Sequence, residues 1–285
     1  MSTKLKTTTK ILIIVCFIGL SLLLYPTVSN YWNSKHATKA INTYIKQMDE
    51  IDETHYKEIW DEAVQYNTDL LIRENAYALT DSLKTRYYKC LDFSGTGVMG
   101  YVEIPKLEIS IPLYHGTSDK VLQHAIGHLE WSSLPVGGET THCVVSGHRG
   151  LPSAKLFTDL DKLREGDTFS LIVLNETLTY EVDQIRTVEP TDVDELLIVD
   201  GKDYCTLVTC TPYGINTHRL LIRGHRIESI QKSNVHVVSE AVIINQLIVA
   251  SVLAVPILFI LLMAVMLKKP EKQSSTKKDS IKAEV

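Results

Sequence analysis

The chain has 285 residues, 45% of them hydrophobic and 22% charged, with a formal net charge of −5. At about 100–200 residues per domain this length allows one or two domains. The composition excludes a disordered chain, a collagen-like repeat and a multi-span transporter.

Apolar residues concentrate in two blocks, 11–25 and 243–267. Residues 1–10 carry Lys4, Lys6 and Lys10 and no acid, and residues 268–285 carry six lysines against Glu271, Asp279 and Glu284. The span between holds 20 Lys and Arg against 31 Asp and Glu. Lysines beside apolar segments stay on the cytoplasmic side, so both tails are expected inside and the acidic middle outside. The second block has 25 residues, enough to cross ~30 Å of hydrocarbon with some tilt; Pro256 is expected to kink it. The first block is shorter, and a cleaved signal peptide is the rival reading. Leu24-Tyr25-Pro26-Thr27 offers no small-x-small cleavage site, which favours an uncleaved anchor. An acidic exterior repels phosphate, so nucleic acid is not an expected partner. No G-x-x-x-x-G-K occurs, and no G-x-G-x-x-G follows a strand.

Residues 34–79 read as helix, with Ile41, Tyr44, Ile45, Met48, Ile51 and Ile59 at three-to-four spacing and no Gly or Pro between Thr27 and Phe93. A packing helix, or a stalk lifting the next domain off the membrane, fits this stretch. After Ser94-Gly95-Thr96-Gly97, short β-rich runs appear at 98–104, 109–114, 142–147, 168–174, 178–188, 204–209 and 219–227. Regular short strands between Gly, Pro and Asp turns suggest a closed barrel or a sandwich. The organisation expected is a cytoplasmic tail (1–10), a membrane anchor (11–28), an extracellular helical segment (29–91), a β domain (92–230), a linker (231–242), a transmembrane helix (243–267) and a second cytoplasmic tail (268–285), Lys/Ser-rich and disordered in character.

The five cysteines include no C-x-x-C pair, so zinc spacing is absent. Cys16 falls in the first apolar block and Cys143 in an apolar strand, both consistent with small buried side chains. Cys90 and Cys205 are open; a disulfide is possible outside the cell, but an odd external count leaves at least one thiol unpaired. Cys210 ends a strand and meets Thr211-Pro212-Tyr213-Gly214, where Pro stops the ladder and Gly permits a turn. If that loop is a hairpin, Arg219 returns beside Cys210. A fixed cation there stabilises thiolate and offers a fork of hydrogen bonds to an oxyanion. A base is also needed. His148 closes an apolar strand through Ser146-Gly147 and can face a cleft, whereas His124 and His128 read as helix or turn surface. His218 and His225 remain rivals. Asp159, Asp161, Glu165 and Asp167 read as a solvated turn, and no metal site is evident.

The run Thr206-Leu207-Val208-Thr209-Cys210-Thr211-Pro212 with Arg219, together with Ser146-Gly147-His148-Arg149-Gly150, resembles a sortase. Gly97-Val98-Met99-Gly100-Tyr101, Leu134-Pro135-Val136-Gly137-Gly138, Leu156-Phe157-Thr158-Asp159-Leu160 and Tyr213-Gly214-Ile215-Asn216-Thr217-His218-Arg219 resemble class C, the pilin-polymerising sortases of Gram-positive bacteria. The likeness runs in register over roughly residues 92–228. It implies a mainly β fold, an eight-stranded closed β-barrel with an N-terminal helical segment and two transmembrane helices. It implies a cysteine transpeptidase acting on LPXTG-type sorting signals, with Cys210 as nucleophile, His148 as general acid/base and Arg219 as oxyanion or substrate stabiliser. The implied partners are pilin or surface-protein substrates, an acceptor amine from a pilin lysine or from peptidoglycan, and the membrane; no cofactor is implied. Class C enzymes typically carry an Asp-Pro-aromatic lid whose Asp meets the catalytic Arg and whose ring covers the Cys. Thr80-Asp81-Ser82-Leu83 is the nearest stretch, keeping Asp81 but replacing Pro by Ser82 and the aromatic by Leu83, so Asp81 and Leu83 are expected to form a loose lid. The alternatives are a wall-anchoring sortase with the same catalytic residues, a plain thiol hydrolase and a non-catalytic surface domain on the same barrel.

Overall fold

The structure is a computed structural model that describes residues 7–229, with side chains from Val15 onward. The expected linker at 231–242, the second apolar block at 243–267 and the C-terminal tail lie outside the described residues.

A helix α1 spans Thr7–Asp49 and runs without interruption through Pro26. Its Val15–Asp49 part is long and apolar enough to cross a membrane by length and composition, and its apolar window is not buried against the protein. The expected single helix over 34–79 is broken. Asp52 adopts extended backbone and its carboxylate accepts a hydrogen bond from the His55 N–H, capping a second helix α2, Glu53–Leu71. Ala63, Tyr66, Asn67 and Leu70, one helical stripe, bury the inner face of α2. A short helix α3, Asp81–Tyr87, follows with Thr80 as its cap.

The remaining chain forms a closed eight-stranded barrel. The strands are β1 (Val98–Ile104), β2 (Ile109–His115), β3 (Ile126–His128), β4 (Thr141–Ser146), β5 (Thr168–Val173), β6 (Glu176–Val188), β7 (Asp203–Thr211) and β8 (His218–Ile227). Around the barrel they run β1-β2-β3-β4-β7-β8-β6-β5. The pairs β2–β3 and β4–β7 are parallel; the others are antiparallel. The strand β3 has three residues, too few for alternation to register in the sequence. His128 lies in it and is fully buried, not on a surface: its Nδ1 meets the Tyr87 hydroxyl at 3.0 Å and its Nε2 the Ser133 carbonyl at 2.8 Å.

Residues alternate across the barrel wall. Cys143, Val145, Cys205, Leu207, Leu220 and Ile222 point into the main core, which also takes in Tyr66, Leu70 and Tyr87 from the helices. Val144, Val208 and Leu221 point outward into a smaller apolar cluster roofed by Leu196, with Trp131, Val188 and Val193 packed against it. The helical segment is therefore part of the packed domain, not a stalk. Ile41 and Tyr44 of α1 are buried against Val98, Tyr101 and Ile172. The Tyr44 hydroxyl donates to the Met99 carbonyl (2.9 Å) and accepts from the Leu174 N–H (2.8 Å), and burial raises its pKa.

His142 ties the barrel wall to its outer roof. Its Nδ1–H donates to the Leu197 carbonyl (2.8 Å), and the Thr206 hydroxyl donates to Nε2 (2.7 Å). Burial holds its pKa down to about 4. The unfolded chain, with His near 6.5, takes up the proton first. Stability therefore falls as pH drops from about 6.5 towards 4 and levels off below, by up to about 3 kcal/mol from this residue. His115, also lowered by burial, adds to the same slope. Thermal denaturation at pH 7 and pH 4.5 is expected to show this loss, and His142→Gln to flatten the profile. An equally steep profile in the Gln variant would remove His142 as its source.

Candidate active site

The site is set by the register of three neighbouring strands. In the antiparallel β7–β8 pair, Cys210 lies directly opposite Arg219. Opposed residues project from the same face with Cα atoms about 5 Å apart. The face is the outer one, because Cys210 shares parity with Val208 and Arg219 with Leu221, both in the outer cluster. On the other side of β7, the parallel β4 ladder pairs Val144 with Thr206 and Ser146 with Val208. It continues one step past the strand end: the Gly147 N–H donates to the Val208 carbonyl (3.0 Å), and the Thr209 hydroxyl donates to the Gly147 carbonyl (2.7 Å). The next residue, His148, therefore follows at the level of Cys210 along the neighbouring strand. The backbone at Cys210 thus has Arg219 opposite it on β8 and the chain leading to His148 on its β4 side, each at about one strand spacing of ~5 Å.

Local sequence explains why each side chain stays there. A Cβ on Gly147 would sit 2.7 Å from Phe157 Cδ2 and 2.8 Å from Ile126 Cγ2, so glycine leaves room for these two core side chains just before His148. The His148 carbonyl accepts from the N–H of fully buried Phe157 (3.1 Å). Arg149, which the sequence offered only as part of a motif, is a clamp. It donates to Thr211 Oγ1 (3.1 Å), pairs with Asp161 and lies over the Tyr213 ring at 6.0 Å. This joins the His148 loop to the residue after Cys210. Arg219 donates from Nη1 to the carbonyls of His218 (3.1 Å) and Asn216 (3.3 Å), and among the described residues no carboxylate pairs with it. Its charge remains available to an anion. Cys210, His148 and Arg219 are all partly exposed.

The rival histidines are placed elsewhere. His218 stands opposite Thr211, so its side chain leaves the other face of the ladder, and its ring meets Glu189 at 3.2 Å and Thr217 at 2.9 Å. His225 stands opposite Tyr204, six residues and about 20 Å down the strand. Cys90, Cys143 and Cys205 are buried. Asp159 pairs with Lys155 and Lys162, and Asp167 with Lys106, so these carboxylates are held in ion pairs. No group of three His, Cys, Asp or Glu among the described residues has metal-binding geometry.

The expected lid is not assembled. Asp81 opens α3 as an exposed first-turn carboxylate, favoured there by the helix dipole. No hydrogen bond or ion pair joins it to Arg219. The helix is fixed instead by Lys84 and Tyr88 to Glu130, and by Tyr87 to His128 and the Gly116 N–H. Leu83 is half-buried against the main core. The α2–α3 connection is what approaches the roof of the outer cluster: Arg73 Nη1 donates to the Trp131 carbonyl (2.6 Å), and the Tyr77 hydroxyl donates to Asp194 (2.9 Å). Leu83→Ala is expected to lower stability by about 2 kcal/mol, leaving the alkylation rate of native Cys210 unchanged. Cys210 itself is expected to react ahead of Cys90, Cys143 and Cys205. Peptide mapping after timed alkylation checks both, and a large acceleration in the Ala variant would make Leu83 a cover for the thiol.

Comparison with known proteins places this geometry. The sortase-domain family model matches residues 102–227. The crystal structure of sortase C1 from Streptococcus agalactiae is 55% identical, with a TM-score of 0.66, covering 67% of this chain and 99% of that one. The sortase C structure from Streptococcus pneumoniae, described in terms of pilin substrate specificity, is 46% identical, with a TM-score of 0.61, covering 67% and 97%. Among curated relatives, sortase D of Bacillus subtilis is 30% identical over 131 residues, which cover 45% of this chain and 63% of that protein. The match thus spans less than two thirds of that relative's length.

Proposed function

The chain belongs to the sortase family, and on that premise we propose that it is a class C cysteine transpeptidase that polymerises pilins. The observation that supports the transpeptidase reading is the pairing of Cys210 with Arg219 across β7–β8, with β4 leading to His148 on the other side of β7. The residues divide the chemistry of acyl transfer among them.

The Cys210 thiolate attacks the Thr carbonyl carbon of an LPXTG-type sorting signal. Negative charge develops on the carbonyl oxygen, and the Arg219 guanidinium stabilises it with its planar fork of N–H donors. The C–N bond to Gly breaks as His148, protonated, gives its proton to the departing amine. A thioester on Cys210 remains. An acceptor amine, a lysine side chain of the next pilin subunit, attacks that thioester and loses its proton to His148. The C–S bond breaks, an isopeptide bond is left, and the thiolate is restored. Arg149 acts through position, holding the His148 loop against Thr211.

The apolar part of α1 is the membrane anchor in this reading, with the barrel on the outer face and both tails inside. Protease treatment of intact cells is then expected to leave tags at either end protected; loss of a C-terminal tag would reject the topology.

Incubation of the full chain with a pilin bearing its sorting signal is expected to give covalent ladders on denaturing gels and a trapped acyl-enzyme at Cys210 by mass spectrometry. Cys210→Ala is expected to abolish both. Arg219→Lys is expected to lower turnover about a hundredfold, since an ammonium keeps the charge but not the fork. Transfer only to a peptidoglycan amine would make the enzyme a wall-anchoring sortase, and release only as the free acid a thiol hydrolase. Near-normal turnover by the Lys variant would remove Arg219 from the site.

A further inference from the structure

Two thiols that the proposed mechanism does not use face each other inside the barrel. Cys143 of β4 is the direct partner of Cys205 of β7 in the parallel ladder. Both point into the main core, both are unbridged, and their relative exposures are 2% and 0%. Cys205 and His128 are the polar neighbours that act on the Cys143 thiol. Partners on adjacent strands have Cα atoms about 5 Å apart, within the roughly 4.4–6.8 Å that a disulfide spans. Neither Cys210 nor Cys90 competes. Cys210 lies five residues beyond Cys205, on the opposite face and about 17 Å along the strand. Cys90 precedes β1, and its carbonyl is bonded to the ring of His115 on β2, two strands away from β4.

We propose that Cys143 and Cys205 are a redox-active pair that closes to a buried disulfide, joining the strand that leads to His148 to the strand that carries Cys210. Each sulfur lies five residues before its functional neighbour, so the bond would fix the register on which the site depends. The inference does not rest on the catalytic reading, since register and burial alone carry it.

The oxidant is a disulfide, of low molecular weight or belonging to a thiol oxidase. Burial is the largest influence on both thiols and opposes ionisation. At Cys143 the neighbours Cys205 and His128 outweigh it, whereas Cys205 stays raised. Cys143 attacks first, though either order gives the same products. Its thiolate attacks one sulfur of the oxidant, whose S–S bond breaks and releases the first thiolate. The Cys205 thiolate then attacks the mixed-disulfide sulfur on Cys143 and releases the second. Two electrons pass to the oxidant, which leaves as two thiols carrying the two protons. Because both sulfurs are enclosed, closure happens during folding or through opening of the barrel.

The test uses membranes carrying the full chain, denatured in N-ethylmaleimide without reductant, either as isolated from an exporting host or after incubation with diamide. Mass spectrometry is expected to find a Cys143–Cys205 linked peptide about 2 Da lighter than its two thiol halves, with Cys90 and Cys210 maleimide-labelled. The thermal midpoint of the wild type is expected to rise on oxidation and that of Cys205→Ser to be insensitive to it. Full labelling of Cys143 and Cys205 in both samples would overturn the proposal, as would a link from either to Cys90 or Cys210. The wild-type peptide map decides whether or not the Ser variant folds.

Discussion

The strand order β4–β7–β8 is the constraint from which the site follows. A parallel neighbour on one side and an antiparallel neighbour on the other bring three distant points of the chain to one level. The parallel pairing of β4 with β7 needs a long crossover, and β5, β6 and the outer roof supply it. Because side chains alternate, a slip of one residue in either ladder would turn Cys210 away from His148 or from Arg219. The inner face resists such slips, since Cys143, Val145, Cys205, Leu207, Leu220 and Ile222 are all committed to the core. The proposed catalytic geometry on the outside of the wall is thus backed by packing on the inside.

Polar anchors then fix what the ladder leaves loose. Beyond Ser146 the chain has left regular β structure, and three contacts hold it: Gly147 to Val208, Thr209 to Gly147, and Arg149 to Thr211. The side chain of Arg149 is mostly buried, so its charge needs compensation, and Asp161 gives it at the edge of the site. His142 performs a similar service deeper in the wall, linking β4, β7 and the roof through one neutral ring. Each anchor joins two strands or a strand and a loop, which is why the mouth of the site can be partly exposed and still ordered.

Much of this was legible in the sequence. Seven of the eight strands show as short β-rich runs, and the turn signals after Cys210 point to the hairpin that returns Arg219. What the sequence could not carry was of three kinds. The strand β3 is too short for periodicity, and so His128 reads as surface although it is enclosed by Tyr87 and Ser133. The break between α1 and α2 depends on one side-chain cap, Asp52, inside a stretch otherwise uniform in helical pattern. The choice among His148, His218 and His225 depends on register and on which face of a strand is outward, a property of pairing partners that a single strand does not contain. Asp81 takes its expected role from resemblance alone; locally it opens a helix capped by Thr80, a place that a single sequence pattern does not tell apart from a lid.

The helix α1 bears on how such a site would meet its substrates. Asn30 accepts from the Lys155 N–H (2.8 Å), and Asn33 donates to the Ser153 carbonyl (2.6 Å). Asn30 lies five residues after the end of the apolar block, a rise of about 7.5 Å along a helix. The first contact between helix and barrel therefore comes at once, on the same loop that begins with His148. A second, apolar contact follows at Ile41 and Tyr44, about 21 Å further along from Asn30 to Tyr44, so the helix is held at two separated points and its direction relative to the barrel is fixed. With the apolar block in a membrane, as proposed, the His148 loop lies close to the lipid surface instead of being raised above it. A sorting signal tethered near the same surface would then meet the thiol by searching a plane, which raises its effective concentration without any added affinity. The contacts that forbid a stalk are those that would put the nucleophile where a membrane-held substrate can reach it.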